Sequence, residues 1–227
     1  FYAVSENTAK PIYTGSLYEI EDGVFKIIAI DGYRMAIRSE NVDSESKNRF
    51  VVPGKTQHEV LKLLTDDEEN TEIIIGQRHI TFKIKNYRII SRLIEGTFIE
   101  YKSAIPKETK TEVVINTRTI IDAVERMSLL NNDRIQSPVR CIFSDDEIKL
   151  SCTSAVGRAN DVISVPIIGE SVEIGFNNRY LLDALKNADT DEIKLILNGS
   201  LTAMIVKPVK GDSYLSIVVP MRLANEN

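Results

Sequence analysis

The chain repeats its own pattern at a fixed spacing. Three pairs of matching positions lie 123 residues apart: Ile30 and Thr153 at predicted strand ends, Pro53 and Phe176 at predicted helix starts, Gly76 and Gly199 in predicted turns. A repeat of this length predicts two copies of one domain rather than a solenoid, which is built from much shorter units. Any fold proposed for the chain must therefore accommodate two similar α+β domains in tandem.

The second copy starts earlier in its own pattern than the first copy does. Its opening segment, Glu112–Ala123, has no counterpart ahead of Phe1. We therefore expect the first copy to lack one strand and half a helix. We also expect the chain to be part of a longer protein with roughly 130–140 further residues before Phe1, the size of one more domain.

Apolar runs bounded by turn residues predict the strands and the helix of the first copy. The strands are expected at Ser16–Ile20, Val24–Ile30, Met35–Ser39, Phe50–Val52, Glu72–Ile75, Ile80–Ile84 and Tyr87–Leu93. Asp22-Gly23 is a typical two-residue hairpin turn, and Pro53 opens a helix that runs to about Leu64. The residues ahead of the first hairpin, Phe1–Glu6, suggest the end of a further helix.

The same analysis predicts two helices and eight strands in the second copy. The strands are expected at Glu112–Ile115, Arg140–Phe143, Glu147–Thr153, Arg158–Val165, Val172–Gly175, Glu192–Leu197, Leu201–Val206 and Leu215–Val219. The helices are expected at Thr117–Leu130 and Asn177–Ala188, with Asn177 or Asn178 as the cap of the second. Pro106 and the following KETKT segment form a linker, so the predicted domains are 1–106 and 107–227.

A turn at Asp31–Arg34 interrupts the apolar stretch Phe25–Ile37. Gly32 allows unusual backbone angles, and Asp31 can hold the turn through local hydrogen bonds. Such a turn would project Tyr33 and Arg34 from a rigid sheet, which is how many binding edges are built. From these residues alone, a plain hairpin corner is the favoured interpretation.

The two cysteines lie on opposite sides of a predicted hairpin turn at Asp145-Asp146. If Cys141 is paired with Leu150, Cys152 is only its diagonal neighbour, roughly 7–8 Å away. That separation is too large for an unstrained disulfide, so we expect two buried thiols, as is usual in a cytoplasmic protein. Charged residues make up 27% of the chain and the net charge is −5. This charge disfavours a protein whose whole surface is covered by nucleic acid, but it allows a local basic surface.

Sequence features of an enzyme are absent. His58 and His79 fall in different predicted elements, and neither has a nearby cysteine at a metal-binding spacing. The chain contains no GxxxxGK[ST], GxGxxG or GxSxG segment. We therefore predict no catalytic residues, no metal site and no cofactor, and the alternatives are a binding module or a protein-interaction scaffold.

Four segments, IAIDGYRMAI, SRLIEGTFIEY, SCTSAVGRAND and IVVPMRL, resemble the bacterial DNA sliding clamp family, the β subunit of DNA polymerase III. The resemblance runs from Phe1 to Leu223, and Pro220–Leu223 is its most specific mark. Family members carry three such domains per chain, and two chains close head to tail into a ring around duplex DNA. This chain is similar to the second and third domains. The resemblance implies a non-catalytic processivity factor in DNA replication, cytoplasmic and nucleoid-associated, that tethers the replicative polymerase to DNA.

In this family the helices line the hole of the ring and contact DNA without reading its sequence. The cationic positions that the resemblance assigns to this surface are Lys10, Lys55, Lys62, Arg118, Arg126, Arg179 and Lys186. On each predicted helix the cations share a face with a carboxylate, namely Glu59, Asp122 or Asp183. A solvated helix face would have the same pattern, so the DNA-facing role comes from the resemblance.

The resemblance also implies a groove between the two domains that binds short peptides of the polymerase, the clamp loader and other partner proteins. The matching positions are Tyr13, Gly32, Tyr33, Arg34, Met35, Ile99, Ala104, Ile135, Asn177, Tyr180, Leu201, Ala203, Val218, Val219, Pro220, Met221 and Arg222. Apolar walls would take a leucine and an aromatic side chain of the peptide. Tyr33 and Ile99 replace a His and a Pro of some relatives, which leaves the peptide preference open.

The remaining assignment concerns ring closure. Leu129 and Leu130, at the end of the first helix of the second copy, match the interface with the partner's first domain. The full-length protein is therefore expected to be a homodimeric ring, and this chain alone a monomer or a weak dimer. The alternative function is a protein-interaction scaffold that does not encircle DNA.

Overall fold

The structure, a computed structural model, describes residues 1–65, 70–130 and 137–223. The chain divides into two compact units, Phe1–Glu100 and Tyr101–Asn227. The second unit starts with a 3-10 helix at Tyr101–Ala104, in which Tyr101 is buried. Pro106, where the linker composition places the domain border, follows that helix.

The first unit has two antiparallel sheets and one helix in its described residues. The elements are β1 (Gly15–Glu21), β2 (Val24–Ile30), β3 (Arg34–Asn41), β4 (Asn48–Pro53), α1 (Gly54–Leu63), β5 (Glu72–Ile75), β6 (His79–Ile84) and β7 (Tyr87–Arg92). The hydrogen-bonded order is β3-β2-β1-β4 in one sheet and β5-β6-β7 in the other. The predicted strands and helix of the first copy are confirmed, whereas Phe1–Glu6 contains a turn, closed from Val4 N–H to the Phe1 carbonyl, and no helix.

The core of the first unit contains apolar residues from both sheets and from α1. They are Tyr18, Val52, Val60, Ile80, Phe82, Ile84 and Leu93. Strand β1 is paired on both sides and is buried over its first five residues, which include the polar Ser16 and Glu19. Burial of the ring raises the pKa of the Tyr18 hydroxyl to about 12.

The second unit repeats this order, with a strand and a helix added at its start and one short strand added further along. The elements are β8 (Thr111–Asn116), α2 (Thr117–Ser128), β9 (Val139–Ser144), β10 (Glu147–Ser154), β11 (Gly157–Ser164), β12 (Ile167–Gly169), β13 (Val172–Phe176), α3 (Asn178–Lys186), β14 (Glu192–Leu197), β15 (Met204–Pro208) and β16 (Tyr214–Val218). The orders are β12-β8-β14-β15-β16 and β11-β10-β9-β13. Two tandem α+β domains of the same design, as the repeat predicts, are confirmed.

Asparagine caps begin both helices of the second unit. The Asn116 side chain accepts a hydrogen bond from the Thr119 N–H at 3.0 Å, and Asn177 accepts from Arg179 and Tyr180 at 3.0 and 3.2 Å. The apolar faces of α2 and α3 pack into one core with the strands of both sheets. This packing leaves the charged residues of both helices on the exposed side.

Several details of the second unit differ from the prediction; helix α3, for example, ends at Lys186 rather than at Ala188. Helix α2 ends at Ser128 rather than at Leu130, and the short strand β12 was not predicted. Gly169 ends β12 at a φ of +112°, where a Cβ atom would lie 1.9 Å from the Lys110 carbonyl oxygen. Strand β15 begins at Met204 rather than at Leu201, because β14 and β15 are joined by a longer loop than the two-residue turn that Asn198-Gly199 suggests.

The hairpin that carries the two cysteines has the predicted register. Cys141 is paired with Leu150, and both thiols are buried and not joined by a disulfide. Burial raises the pKa of the Cys141 thiol to about 12, so the reactive thiolate is scarce at neutral pH. No helix in the described ranges is long and apolar enough to cross a membrane.

These two thiols should not react with Ellman's reagent while the chain is folded, and both should react once it is denatured. The physical reason is that both side chains are buried, and burial also keeps the Cys141 thiol protonated. Thr153→Cys, at an exposed position of the same strand, is the control and should react at once. Native-state labelling of wild type as fast as labelling of this control would contradict the buried hairpin.

Candidate peptide and nucleic-acid interfaces

Local hydrogen bonds hold the Asp31–Arg34 turn. Asp31 Oδ1 accepts from the backbone N–H groups of Tyr33 and Arg34 at 2.9 and 3.0 Å, and Oδ2 accepts from Arg34 Nε at 2.9 Å. The Arg34 guanidinium also lies 5.5 Å from the centre of the Tyr2 ring. The turn therefore projects Tyr33, which is 61% exposed, whereas Arg34 folds back and is 7% exposed. The expectation that both side chains project is wrong for Arg34.

The segment after β16 returns to the edge of the other sheet of the second unit. Met221 N–H donates to the Gly175 carbonyl at 2.8 Å, and the two residues form a β-bridge. A Cβ atom on Gly175 would lie 2.6 Å from Leu223 Cδ2, so glycine is needed for this close approach. The bridge brings the predicted groove residue Met221 close to the end of β13, where Asn177 and Tyr180 begin α3.

Strand pairing places further predicted groove residues of the second unit together. Val218 is paired with Met204, and continuing this register puts Val219 opposite Ala203. Leu201, in the loop ahead of β15, is 85% exposed, and Val219 is 39% exposed. Val218 is fully buried and belongs to the core. The exposed apolar surface of this region is therefore formed by Leu201 and Val219, beside Pro220 and Met221, which are half-buried.

Other predicted groove residues have mixed environments. In the first unit, Met35 is buried and Tyr13 packs edge-to-face on Phe98 at 5.8 Å. In the same unit the Ile99 carbonyl accepts a long hydrogen bond of 3.4 Å from Arg49. In the second unit Ala104 and Arg222 are exposed. Ile135 lies outside the described residues.

Carboxylates accompany most of the cations predicted to face DNA. Lys62 contacts Glu59 at 2.9 Å on α1, and Arg118 contacts Asp122 at 2.8 Å on α2. Lys186 of α3 reaches Glu125 of α2 at 2.6 Å, which links the two helices. Arg126 pairs with Asp161 of β11, and not with Asp122 on its own helix. Lys10, Lys55 and Arg179 are exposed.

Two of these ion pairs lower the pKa of their carboxyl group. The ammonium of Lys186, which donates a hydrogen bond to Glu125, holds the pKa of this carboxyl below its usual range. Lys62 lowers the pKa of Glu59 in the same way. Because these pairs are exposed, water and salt screen them strongly. The helix faces therefore carry cations that can exchange a carboxylate partner for a phosphate at little cost.

The residues assigned to ring closure differ in exposure. Leu129 follows α2 and is 83% exposed, whereas Leu130 is half-buried and packs on the core of the second unit. Val156 is 68% exposed in the turn ahead of β11, next to Gly157, where a Cβ atom would lie 3.8 Å from Leu130 Cδ2. Val156 was not predicted from the sequence as an interface residue. Its signal would have been an apolar residue in a Ser-Ala-Val-Gly turn, where polar residues are usual.

No cluster of three or more His, Cys, Asp or Glu side chains that could hold a metal ion occurs in the described part of the chain.

Two family profiles match consecutive parts of the sequence. Residues 1–100 match the central domain of the DNA polymerase III beta subunit, and residues 102–222 match its C-terminal domain. The chain belongs to the DNA polymerase III beta subunit family. The family and fold class predicted from the sequence are thus confirmed.

Individual relatives show how much of the family chain is present. The chain is 30% identical over 228 residues to the beta sliding clamp of Halalkalibacterium halodurans and 30% identical over 226 residues to that of Bacillus subtilis. In each case 97% of this chain and 60% of the relative are covered, so the chain spans about three fifths of the length of these relatives.

Solved structures show the same share. The DNA polymerase sliding clamp of Bacillus subtilis superposes with a TM-score of 0.95 at 30% identity, covering 98% of this chain and 60% of that one. A Pseudomonas aeruginosa sliding clamp bound to griselimycin superposes with a TM-score of 0.92 at 28% identity, covering 98% and 61%. The beta subunit domains of this chain thus keep the family fold at low sequence identity.

Proposed function

We propose that this chain acts as the second and third domains of a DNA sliding clamp, a non-catalytic processivity factor. The complete protein would encircle duplex DNA as a homodimeric ring and tether the replicative polymerase. The observation that carries the proposal is the exposed helix surface of the second unit, where Arg118, Arg126 and Lys186 are held by Asp122, Asp161 and Glu125.

This helix surface is suited to contact that does not fix a position on DNA. Arginine and lysine on exposed helices attract phosphates without reading base edges. The paired carboxylates reduce the net charge of the surface, so that each phosphate contact is weak and can be exchanged. Weak, exchangeable contacts allow a ring to slide along the duplex. Lys10, Lys55, Lys62 and Arg179 are the further residues that we assign to DNA contact.

The second part of the proposal is peptide binding by the second unit. Leu201, Val219 and Met221 offer accessible apolar surface, and the bridge from Met221 to Gly175 lies ahead of the start of α3, where Tyr180 adds an aromatic ring. A peptide leucine and a peptide aromatic ring could be buried there, as in other peptide-anchoring surfaces. The family resemblance assigns Tyr33 of the first unit to the same function. The partners would be the polymerase catalytic subunit, the clamp loader and other proteins that carry such peptides.

Ring closure is the third part. The exposed side chain of Leu129 and the neighbouring Val156 lie near the edge strand β11 of the second unit. An exposed apolar residue next to a sheet edge can be covered by a strand of another chain. We assign this edge to the contact with the partner's first domain, with Leu129 as its apolar centre and Leu130 supporting it from the core.

The test of the DNA part is binding of this chain to labelled duplexes of two unrelated sequences at several salt concentrations. We expect equal affinity for both and a linear fall of log affinity with log salt. Glu125→Gln should raise the affinity, because it releases Lys186 to bind phosphate. Glu173→Gln, which removes the partner of Arg140 on the strands, is the matched control and should have a smaller effect. Binding that is absent or insensitive to salt would instead favour the scaffold function.

A further inference from the structure

A cavity of about 430 Å³ opens in the first unit beside the edge strand β4. Leu17, Val51 and Leu93 are among its lining residues and are 1%, 4% and 9% exposed, so they form an apolar floor. Arg49 and Arg78 also line it, and their side chains are 44% and 72% exposed. An apolar floor with a few polar groups at its mouth is the usual composition of a ligand site, and this volume falls in the usual range.

The two arginines at the mouth have only distant acidic partners. Arg49 Nε lies 3.9 Å from Glu19, and Arg78 Nε lies 3.8 Å from Glu95. Glu95 is closer to Arg92, at 3.3 Å. These separations exceed the 2.7–2.9 Å of a close guanidinium–carboxylate hydrogen bond. Each guanidinium can therefore donate to a carboxylate of a ligand with better geometry than its present carboxylate contact offers, and Arg49 makes only a long bond of 3.4 Å to the Ile99 carbonyl besides.

Strand β4 adds a backbone edge to the cavity. The Val51 carbonyl accepts from Ile94 N–H at 2.9 Å, so the polar backbone groups of Val51 face away from β1. Strand residues alternate, and the N–H and carbonyl of Arg49 therefore face the same edge. Ile94 already covers the edge at Val51, so an extended peptide could pair with β4 at Arg49 and place a side chain in the cavity.

The 123-residue repeat relates the cavity of the first unit to a surface of the second unit. Gln77 and Arg78, which line it, lie 123 positions before Ser200 and Leu201 of the second unit. In both units the segment after the last strand returns to the edge of the strand that precedes a helix, through Ile94 and Val51 in the first and Met221 and Gly175 in the second. The cavity thus corresponds to the surface proposed for peptide binding in the second unit. Where that surface has the apolar Leu201, the first unit has the cationic Arg78.

We propose that the first unit carries a second peptide site, which binds an extended segment with an apolar side chain followed by carboxylates. The apolar side chain enters the cavity over Leu17 and Leu93. The carboxylates contact Arg49 and Arg78, and the peptide backbone pairs with β4 at Arg49, beyond the position that Ile94 occupies. This site is separate from the peptide surface of the second unit and does not depend on DNA binding.

The test is a nuclear magnetic resonance titration of the isotope-labelled chain with the acetylated tetrapeptide Leu-Phe-Asp-Asp. Saturable shifts are expected at the amides of Gln77, Gly96 and Thr97. The neutral peptide Leu-Phe-Asn-Asn should bind at least roughly tenfold more weakly, because it lacks the charge-assisted hydrogen bonds. The double variant Arg49→Ala, Arg78→Ala should weaken binding of the acidic peptide to a similar extent. Arg88→Ala, an exposed arginine outside the cavity lining, should leave its affinity unchanged.

Three results would overturn the proposal. They are the absence of shifts at these amides, equal binding of the acidic and neutral peptides, and equal weakening by Arg88→Ala. Truncation after Met221 should leave the shifts in the first unit intact, and their loss in that variant would also contradict a separate site. The comparison of the two peptides uses the wild-type chain, so it decides the question even if the double variant is poorly folded.

Discussion

Truncating the chain after Met221 together with Met221→Ala should weaken binding of a clamp-binding peptide at least ~30-fold. The peptide to use carries a Gln, then a Leu, then a terminal Leu-Phe pair, which is the type that the family resemblance implies. Removing a buried anchor at such surfaces typically costs about 2 kcal/mol, and 1.4 kcal/mol is tenfold in affinity. The fold should survive, because the change falls after the last strand, β16.

A second variant displaces the same C-terminal segment by changing the residue of β13 that it packs against. Gly175→Val places a side chain where Leu223 Cδ2 lies, since even a Cβ atom would be 2.6 Å from it. The C-terminal segment should leave the β13 edge, and peptide binding should fall as it does in the truncation. Lys62→Ala, on α1, is the control and should bind as wild type does. Unchanged binding by the truncated chain, or equal weakening by Lys62→Ala, would show that the peptide surface lies elsewhere.

Reversing three arginines on the helices of the second unit should lower the affinity for duplex DNA at least ~100-fold at low salt. The variant is Arg118→Glu, Arg126→Glu and Arg179→Glu. Each lost phosphate contact should also make the slope of log affinity against log salt shallower by about 0.9. Fluorescence anisotropy with a labelled duplex measures both quantities. All three side chains are exposed, so the melting temperature should change little.

The matched control changes the net charge equally but off the helices. Lys149→Glu, Lys207→Glu and Lys210→Glu alter two strands and a loop of the same unit. If bulk charge alone governed binding, both variants would lose the same affinity and the assignment of the helix face to DNA would be wrong. A loss restricted to the helix variant supports a DNA-facing surface on α2 and α3.

The sequence by itself determined the features that depend on neighbours along the chain. Strand β2 has the predicted bounds, Asn177 caps α3 as expected, and Cys141 pairs with Leu150. These features follow from an apolar run bounded by turn residues, from a local hydrogen bond at a helix start and from a tight turn. None of them requires knowledge of a distant residue, and the 123-residue repeat then predicted the second domain from the first.

The tertiary structure decided the features that join residues far apart in sequence. Arg126 forms its ion pair with a carboxylate of β11, and Lys186 forms its ion pair with a carboxylate of α2. Each helix has carboxylates of its own that are nearer in sequence. Met221 reaches Gly175, and the side chain of Arg34 folds back beside Tyr2. The cavity beside β4 is lined by residues that the sequence separates by tens of positions. Packing of distant segments decides which charges meet and which apolar side chains stay exposed, and no local pattern encodes that choice.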